Sequence, residues 1–282
     1  MFYRAPGKAV CADVIPFYHD GEFKLFYLRD YRDIENCGEG CPWCLLTTKD
    51  LVNYVDHGPV LLRGTQGEQD LYVFTGCCIK LGDKFVIYYT GHNPHLRRQG
   101  FPEQKILRAT SDDLLHWEKD KDFVFEAPDY LEMHDFRDPF VYFDEEKQLY
   151  CMLIAARHKN NDATAHKGVT LVAHSKNGYD WELSKQDFYS PHAYFTHECP
   201  DLFKMGDWWY LVFSEFTDKI LTKYRMAKSP NGPWITPKVD DFDGHAFYAA
   251  KSATDGKRRI MFDWNCIRIR IVNRHVNEYV YN

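Results

Sequence analysis

The chain has 282 residues, 45% hydrophobic and 16% aromatic, enough to bury a sizeable core as one large domain or two small ones. Its net charge of −6 comes from interspersed acids and bases, which argues against a nucleic-acid partner and for a neutral or small ligand. No apolar run reaches the length of a membrane span, MFYRAPGKAV lacks the apolar core of a secretion signal, and nine cysteines with Cys77 and Cys78 adjacent fit reduced thiols. A cytoplasmic protein with no membrane partner is expected.

In chain order, five segments repeat one pattern, a turn followed by an apolar, aromatic strand: HDGEFKLFYLRD, LGDKFVIYYTG, DEEKQLYCMLIAA, KMGDWWYLVFSE and TDGKRRIMFDWN. They recur about every fifty to sixty-five residues, and each is too short to fold alone. Between them lie TTKDLVNYVD, ATSDDLLHWEKD, AHSKNGYDWELS and AKSPNGPWITP, each a strand end, a polar turn and an aromatic that opens the next strand. Helical periodicity is almost absent, so the chain reads as all-β. Five units of about four strands predict a five-bladed β-propeller over residues 1–265, with 266–282 as a tail that could supply a closing strand. A two-sheet sandwich gives no reason for such a repeat. In CGEGCPWC, the thiols Cys37, Cys41 and Cys44 have no second half at zinc-site spacing, so no metal is expected.

Counting back about fourteen residues from the aromatic strands at Tyr27, Met152 and Val212 reaches Asp13, Asp138 and Glu198. Three carboxylates at one repeat position should meet at the mouth of a propeller channel. The second and fifth units carry Phe74–Thr75–Gly76 and Phe247–Tyr248 there instead. Each acid also has a structural reading: Asp13 opening a turn, Asp138 paired with Arg137, Glu198 capping a strand. Carboxylates flanked by aromatics suit a small carbohydrate, because glycoside hydrolysis needs one protonated acid and one carboxylate and no cofactor.

The segments ECPDLF, FRDP, YYTGH following FTG, TTKDLVNY after Trp43, and FYAAK…RRIMFDW resemble, in order, the motifs of glycoside hydrolase family 32, the β-fructofuranosidases. The resemblance implies Asp13 as nucleophile, Glu198 as general acid/base and Asp138 as transition-state stabiliser. It implies walls or clamps of the sugar pocket at Trp43, Phe74, Thr75, Arg137 and Tyr248. Glu198 is then expected to be protonated and Asp13 ionised, with His197 on the opposite face of its strand. Sucrose, its phosphorylated form or short fructo-oligosaccharides would be the substrates.

Two departures stand out. The family's Trp-Met-Asn-Asp-Pro-Asn-Gly is here VCADVIPF, with Val10, Ala12 and Val14 beside the aspartate, and Leu28 stands where the family usually has a glutamine. The tail does not resemble the family's link to a second, β-sandwich domain, and oligomerisation is left open as a compensation. Two rivals follow: an inverting arabinosidase or xylosidase of family 43, whose opening strand ADVIPFYHDGEFKLFYL is similar, and a non-catalytic sugar-binding propeller. The anomeric form of the released sugar separates the first rival, and sugar binding without turnover the second.

Overall fold

The structure is a computed structural model that describes residues 3–6, 9–31, 34–159, 166–217, 220–242, 247–265, 268–270 and 279–281. Blade one consists of β1 (Ala9–His19), β2 (Glu22–Tyr31), β3 (Trp43–Thr48) and β4 (Val55–Leu61), paired in that order. Blade two repeats the meander with β5 (Tyr72–Leu81), β6 (Lys84–His92), β7 (Gln104–Ser111) and β8 (Glu118–Phe125). Blade three holds β9 (Leu131–Asp144), β10 (Leu149–His158), β11 (Gly168–Ser175) and β12 (Glu182–Leu183). Among the described residues blade four has three strands, β13 (His197–Met205), β14 (Trp208–Phe216) and β15 (Ile220–Ala227).

The all-β propeller expected from the repeat is present, but the number of blades is corrected. The described residues form four blades, and the fifth unit is a two-stranded hairpin of β16 (Phe247–Thr254) and β17 (Arg259–Asn265). The repeat was legible because TDGKRRIMFDWN does make the hairpin turn; the outer strands of that unit were inferred from the other four. The hairpin sits in the ring all the same, since β16 packs against both β13 and β1. In the tail, β18 (Arg268–Arg270) and β19 (Tyr279–Tyr281) pair with one another, and its remaining residues lie outside the described set. No helix among the described residues is long and apolar enough to cross a membrane.

Each boundary between units is a wedge of buried side chains, which explains why aromatics are so frequent. Phe26, Trp43, Val73, Ile87 and Tyr89 fill the first. Tyr88, Phe136, Met152 and Ile154 fill the second, and Cys151, Leu153, Leu211 and Phe213 the third. Phe23, Tyr27 and Ala253, with Ile260 and Phe262 against them, join the hairpin to blade one. Burying one such side chain is worth roughly 1.5–3 kcal/mol, so the sectors cohere without a central core.

The inner strand of every unit carries an irregularity at the same level. Pairing breaks at Asp13 in β1, Thr75 in β5, Asp138–Pro139 in β9, Cys199–Pro200 in β13 and Ala249–Ala250 in β16, in each case by one extra residue on the inner strand. Such bulges bend a strand and re-aim the side chains around them. Asp138, Cys199 and Ala249 have φ of 57°, 51° and 55°, a left-handed conformation that costs a side-chain-bearing residue about 1–2 kcal/mol.

Candidate active site

The bulges sort the site residues into two levels. Asp13, Thr75, Asp138, Cys199 and Ala249 occupy the bulge, and Ala12, Phe74, Arg137, Glu198 and Tyr248 come just before it. The expectation that the three acids share one repeat position is therefore corrected. Asp13 and Asp138 share it; Glu198 is equivalent to Arg137, and Cys199 takes the bulge in blade four. The miscount arises in the turns: β9 and β10 are joined by the four residues 145–148, β13 and β14 by the two residues 206–207. The two turns differ by two residues, and because Met152 lies three residues before Ala155 but Val212 two before Ser214, a fixed count back from them misses by one relative to the bulge.

Hydrogen bonds hold the strained bulges. The Asp138 N–H donates to Thr90 Oγ1 at 2.8 Å, and the Ala249 N–H to Ser214 Oγ at 2.8 Å, hydroxyls from equivalent places on β6 and β14. In β10 that place is Ala155, which has no acceptor. The Cys199 N–H turns instead to Asp138 Oδ2, at 2.9 Å. An alanine on the second strand thus fixes one carboxylate oxygen onto a neighbouring backbone.

The three acids converge. The Cys199 thiol lies 3.8 Å from Asp13 Oδ2 and 3.7 Å from Asp138 Oδ2, so both carboxylates touch one sulfur. Arg137 spans the other pair: its Nη2 donates to Glu198 Oε1 at 2.7 Å, and its Nε lies 3.8 Å from Asp138 Oδ2. The Tyr248 hydroxyl donates to Glu198 Oε2, and the Thr75 hydroxyl to Asp13 Oδ2. Phe74 is half-buried and stacks on His92 with ring centroids 4.5 Å apart. Thr75, Arg137, Glu198 and Tyr248 are thus directly bonded within the acid cluster, with Phe74 beside them.

Trp43 belongs elsewhere. It is fully enclosed, packs against Phe26 and Tyr89, and its indole N–H donates to the Phe74 carbonyl at 3.2 Å. Its strand β3 is third in its blade, so the ring supports Phe74 from behind and forms no pocket wall. Cys41 and Cys44 are buried thiols, Cys44 on β3 and Cys41 just before it, with Cys41 donating to the Val73 carbonyl at 3.7 Å. His197 is fully buried on the face away from Glu198, against Tyr189, Tyr194 and Phe213.

The electrostatics depart from the expected division of charge. Burial pushes the Asp13 carboxyl up to about 7; the Thr75 hydrogen bond opposes this, while Asp138 and Glu198 add to it. Burial, with Glu198 nearby, also raises Asp138 against the pull of Arg137. Arg137 pairs with Glu198 at 2.7 Å and lies 3.8 Å from Asp138, whereas Asp13 has no guanidinium contact among the described residues. Against the expectation of an ionised Asp13, burial holds that carboxyl toward its neutral form.

Three participants escaped sequence reasoning. Asp135 Oδ1 accepts from Arg137 Nη1 at 2.8 Å, and the alternation in HDFRD, which puts Asp135 and Arg137 on one strand face, could have signalled it. Lys251, buried, donates to the Pro200 carbonyl at 3.1 Å, and its charge lowers both Asp13 and Asp138. Cys199 was hidden by the miscount of the bulge.

Comparison with known proteins agrees with this architecture. A sucrose-6-phosphate hydrolase of Zymomonas mobilis is 29% identical over 86% of this chain and 50% of its own length. A levanbiose-producing levanase of Bacillus subtilis is 28% identical over 83% of this chain and 42% of its own. The chain therefore spans about half the length of the curated relatives it matches. A GH32 β-fructofuranosidase of Bombyx mori superposes with a TM-score of 0.72 at 21% identity, over 92% of this chain and 56% of that one. A variant of the same protein has been solved in complex with sucrose, with a TM-score of 0.68 and 20% identity over the same shares. The model of the glycosyl hydrolases family 32 N-terminal domain matches residues 14–273, and the chain belongs to that family.

Proposed function

We propose that this chain carries the catalytic channel of a retaining β-fructofuranosidase acting on sucrose-like substrates or short fructo-oligosaccharides. The observation that carries the reading is the convergence of Asp13, Asp138 and Glu198 through Cys199 and Arg137. Asp13 is the nucleophile toward the anomeric carbon, and Glu198 protonates the leaving oxygen and then activates water. Asp138, fixed by the Cys199 N–H, holds sugar hydroxyls and the positive charge that develops on the ring. Phe74, Thr75, Arg137 and Tyr248 line or orient the pocket. Because Glu198 is bound by Arg137 and Tyr248, its proton delivery requires the leaving oxygen to displace one of those contacts.

Sucrose bound to the Bombyx mori variant supports a small carbohydrate as the ligand. We assign the catalytic unit to residues 1–265, with β16–β17 in the place of a fifth blade. Cytoplasmic residence is supported by thiols used as such, Cys41 and Cys199 both serving as buried donors.

The test is incubation with sucrose, phosphorylated sucrose, short fructo-oligosaccharides, levan, inulin, and nitrophenyl arabinoside or xyloside. Fructose released with retained anomeric configuration is expected, and Glu198→Gln should abolish it. Release of arabinose or xylose instead would reject the assignment, as would sugar binding with no turnover by the parent protein.

A further inference from the structure

A line of alternating charge runs from the flank of blade three into the acid cluster. Asp135 stands two residues before Arg137 on β9. Its Oδ1 accepts from Arg137 Nη1 at 2.8 Å and its Oδ2 from Arg157 Nη1 at 3.0 Å. The Arg157 guanidinium lies 3.6 Å from the centroid of the Phe195 ring, which fixes the outer end. At the inner end Arg137 reaches Glu198, and Tyr248 holds the far oxygen of that carboxylate. The side chains of Asp135, Arg137 and Arg157 are 19%, 10% and 14% exposed, so solvent screens their interaction weakly.

We propose that Asp135 is a positioning residue for the reaction: it fixes the Arg137 guanidinium and, by taking part of its charge, limits how tightly Arg137 holds Glu198. The proposal rests on the assignment of Glu198 as the proton donor. One guanidinium faces three carboxylates, Asp135, Glu198 and Asp138. Arg137 alone would grip the Glu198 carboxylate more tightly and oppose proton delivery. A second carboxylate at hydrogen-bond distance dilutes that hold and locks the guanidinium plane, with Gln104 Oε1 accepting from Nη1 at 3.2 Å.

The other groups around this line are accounted for. His92 on β6 feels Arg137, and burial together with that charge draws it down to about 4, so it is neutral near pH 7. Gln104 on β7 is uncharged. Arg157 on β10 shares Asp135. Glu198 on β13, Asp13 on β1, and Tyr248 and Lys251 on β16 face the cluster from the far side. Burial works against the charged form of Asp135, yet Arg137 and Arg157 outweigh it and hold its carboxyl below the usual range. It therefore stays charged at neutral pH.

Asp135→Asn keeps the shape and an acceptor oxygen but removes the charge. The pH profile of fructose release should then move as a whole to lower pH by about half a pH unit, about threefold in kcat/KM on the alkaline limb. Arg157→Gln leaves Asp135 to Arg137 alone and should move the profile the opposite way. A residue that merely braces β9 would lower activity by one factor at every pH. That result, or shifts of the same sign in both variants, overturns the proposal. If Asp135→Asn does not fold, the sign of the Arg157→Gln shift decides alone. The same shifts are readable without turnover, by NMR titration of the channel carboxyl carbons. A chain that releases no fructose thus counts against the proposed function, while the titration still decides the role of Asp135.

Discussion

Asp13→Asn should make the protein inactive and, above neutral pH, more stable. The Asp13 carboxyl titrates at about 7 in the fold against an ordinary 3.8, because it is buried beside two other acids. At about 1.4 kcal/mol for each tenfold change, ionising it inside the fold costs roughly 4 kcal/mol relative to the unfolded chain. A raised carboxyl favours the fold below its unfolded value, and that advantage is lost as pH climbs toward 7. The asparagine keeps an acceptor for the Thr75 hydroxyl and never ionises. Wild type and variant should therefore differ little in stability near pH 3. The variant should gain about 2 kcal/mol by pH 5 and about 4 kcal/mol above pH 7. For a chain of this size that is on the order of 8–15 °C in Tm at pH 8. Thermal unfolding of both proteins from pH 3 to 9 measures it. A Tm difference that stays constant with pH, or a variant less stable at pH 8, would falsify the placement of Asp13 as a buried acid among like charges.

The same titration bears on turnover: an attacking Asp13 must be ionised, so kcat/KM for sucrose should rise through pH 7, and an acid limb below pH 5 would contradict this. Tyr248→Phe removes the hydroxyl donor to Glu198 Oε2 from a residue 7% exposed and should cost about tenfold in kcat, read in steady-state kinetics. Thr90→Val leaves the buried Asp138 N–H without its acceptor and should destabilise the fold by about 1–3 kcal/mol in urea titration. Trp43→Phe should cost a similar roughly 1–3 kcal/mol through the lost bond to the Phe74 carbonyl and the space left behind. Its KM for sucrose should stay within about twofold, because an enclosed ring does not touch substrate; a KM raised tenfold would return Trp43 to the pocket wall.

The repeat and the acids were legible because each rests on a short local signal. A turn followed by an aromatic strand recurs whenever a hairpin must pack between two neighbours, and that pattern located the second strand of all five units. Register was not legible. It depends on where each strand gains a residue and on the turn length, and Glu145–Gln148 and Gly206–Asp207 look alike as polar punctuation. Trp43 was misplaced for a related reason: a motif fixes its distance along the chain from the acids, not the number of strands between it and the channel. Asp135 went unread because its partner Arg157 is on another strand, and the usual reading of Arg137 next to Asp138 already satisfied both charges.

The segment HECPDLF places two carboxylates three residues apart, and the bulge between them gives them separate tasks. On a regular strand, positions 198 and 201 would point to opposite faces. The extra residue at Cys199–Pro200 turns Glu198 toward Arg137 and Tyr248. It carries Asp201 back into the strand ladder, fully buried, where Oδ2 accepts from the Ser252 N–H at 2.8 Å and the Ser252 hydroxyl at 2.5 Å. Arg259 Nη1 donates to that same hydroxyl at 2.9 Å, joining β13 to both strands of the hairpin. A two-stranded unit has little sheet of its own to hold it in the ring, so these bonds, with Lys251 on the Pro200 carbonyl and Thr222 on the Phe247 carbonyl, set its position. Because Tyr248 enters on that hairpin, the aspartate that looks redundant beside Glu198 is what keeps a hydroxyl aimed at it.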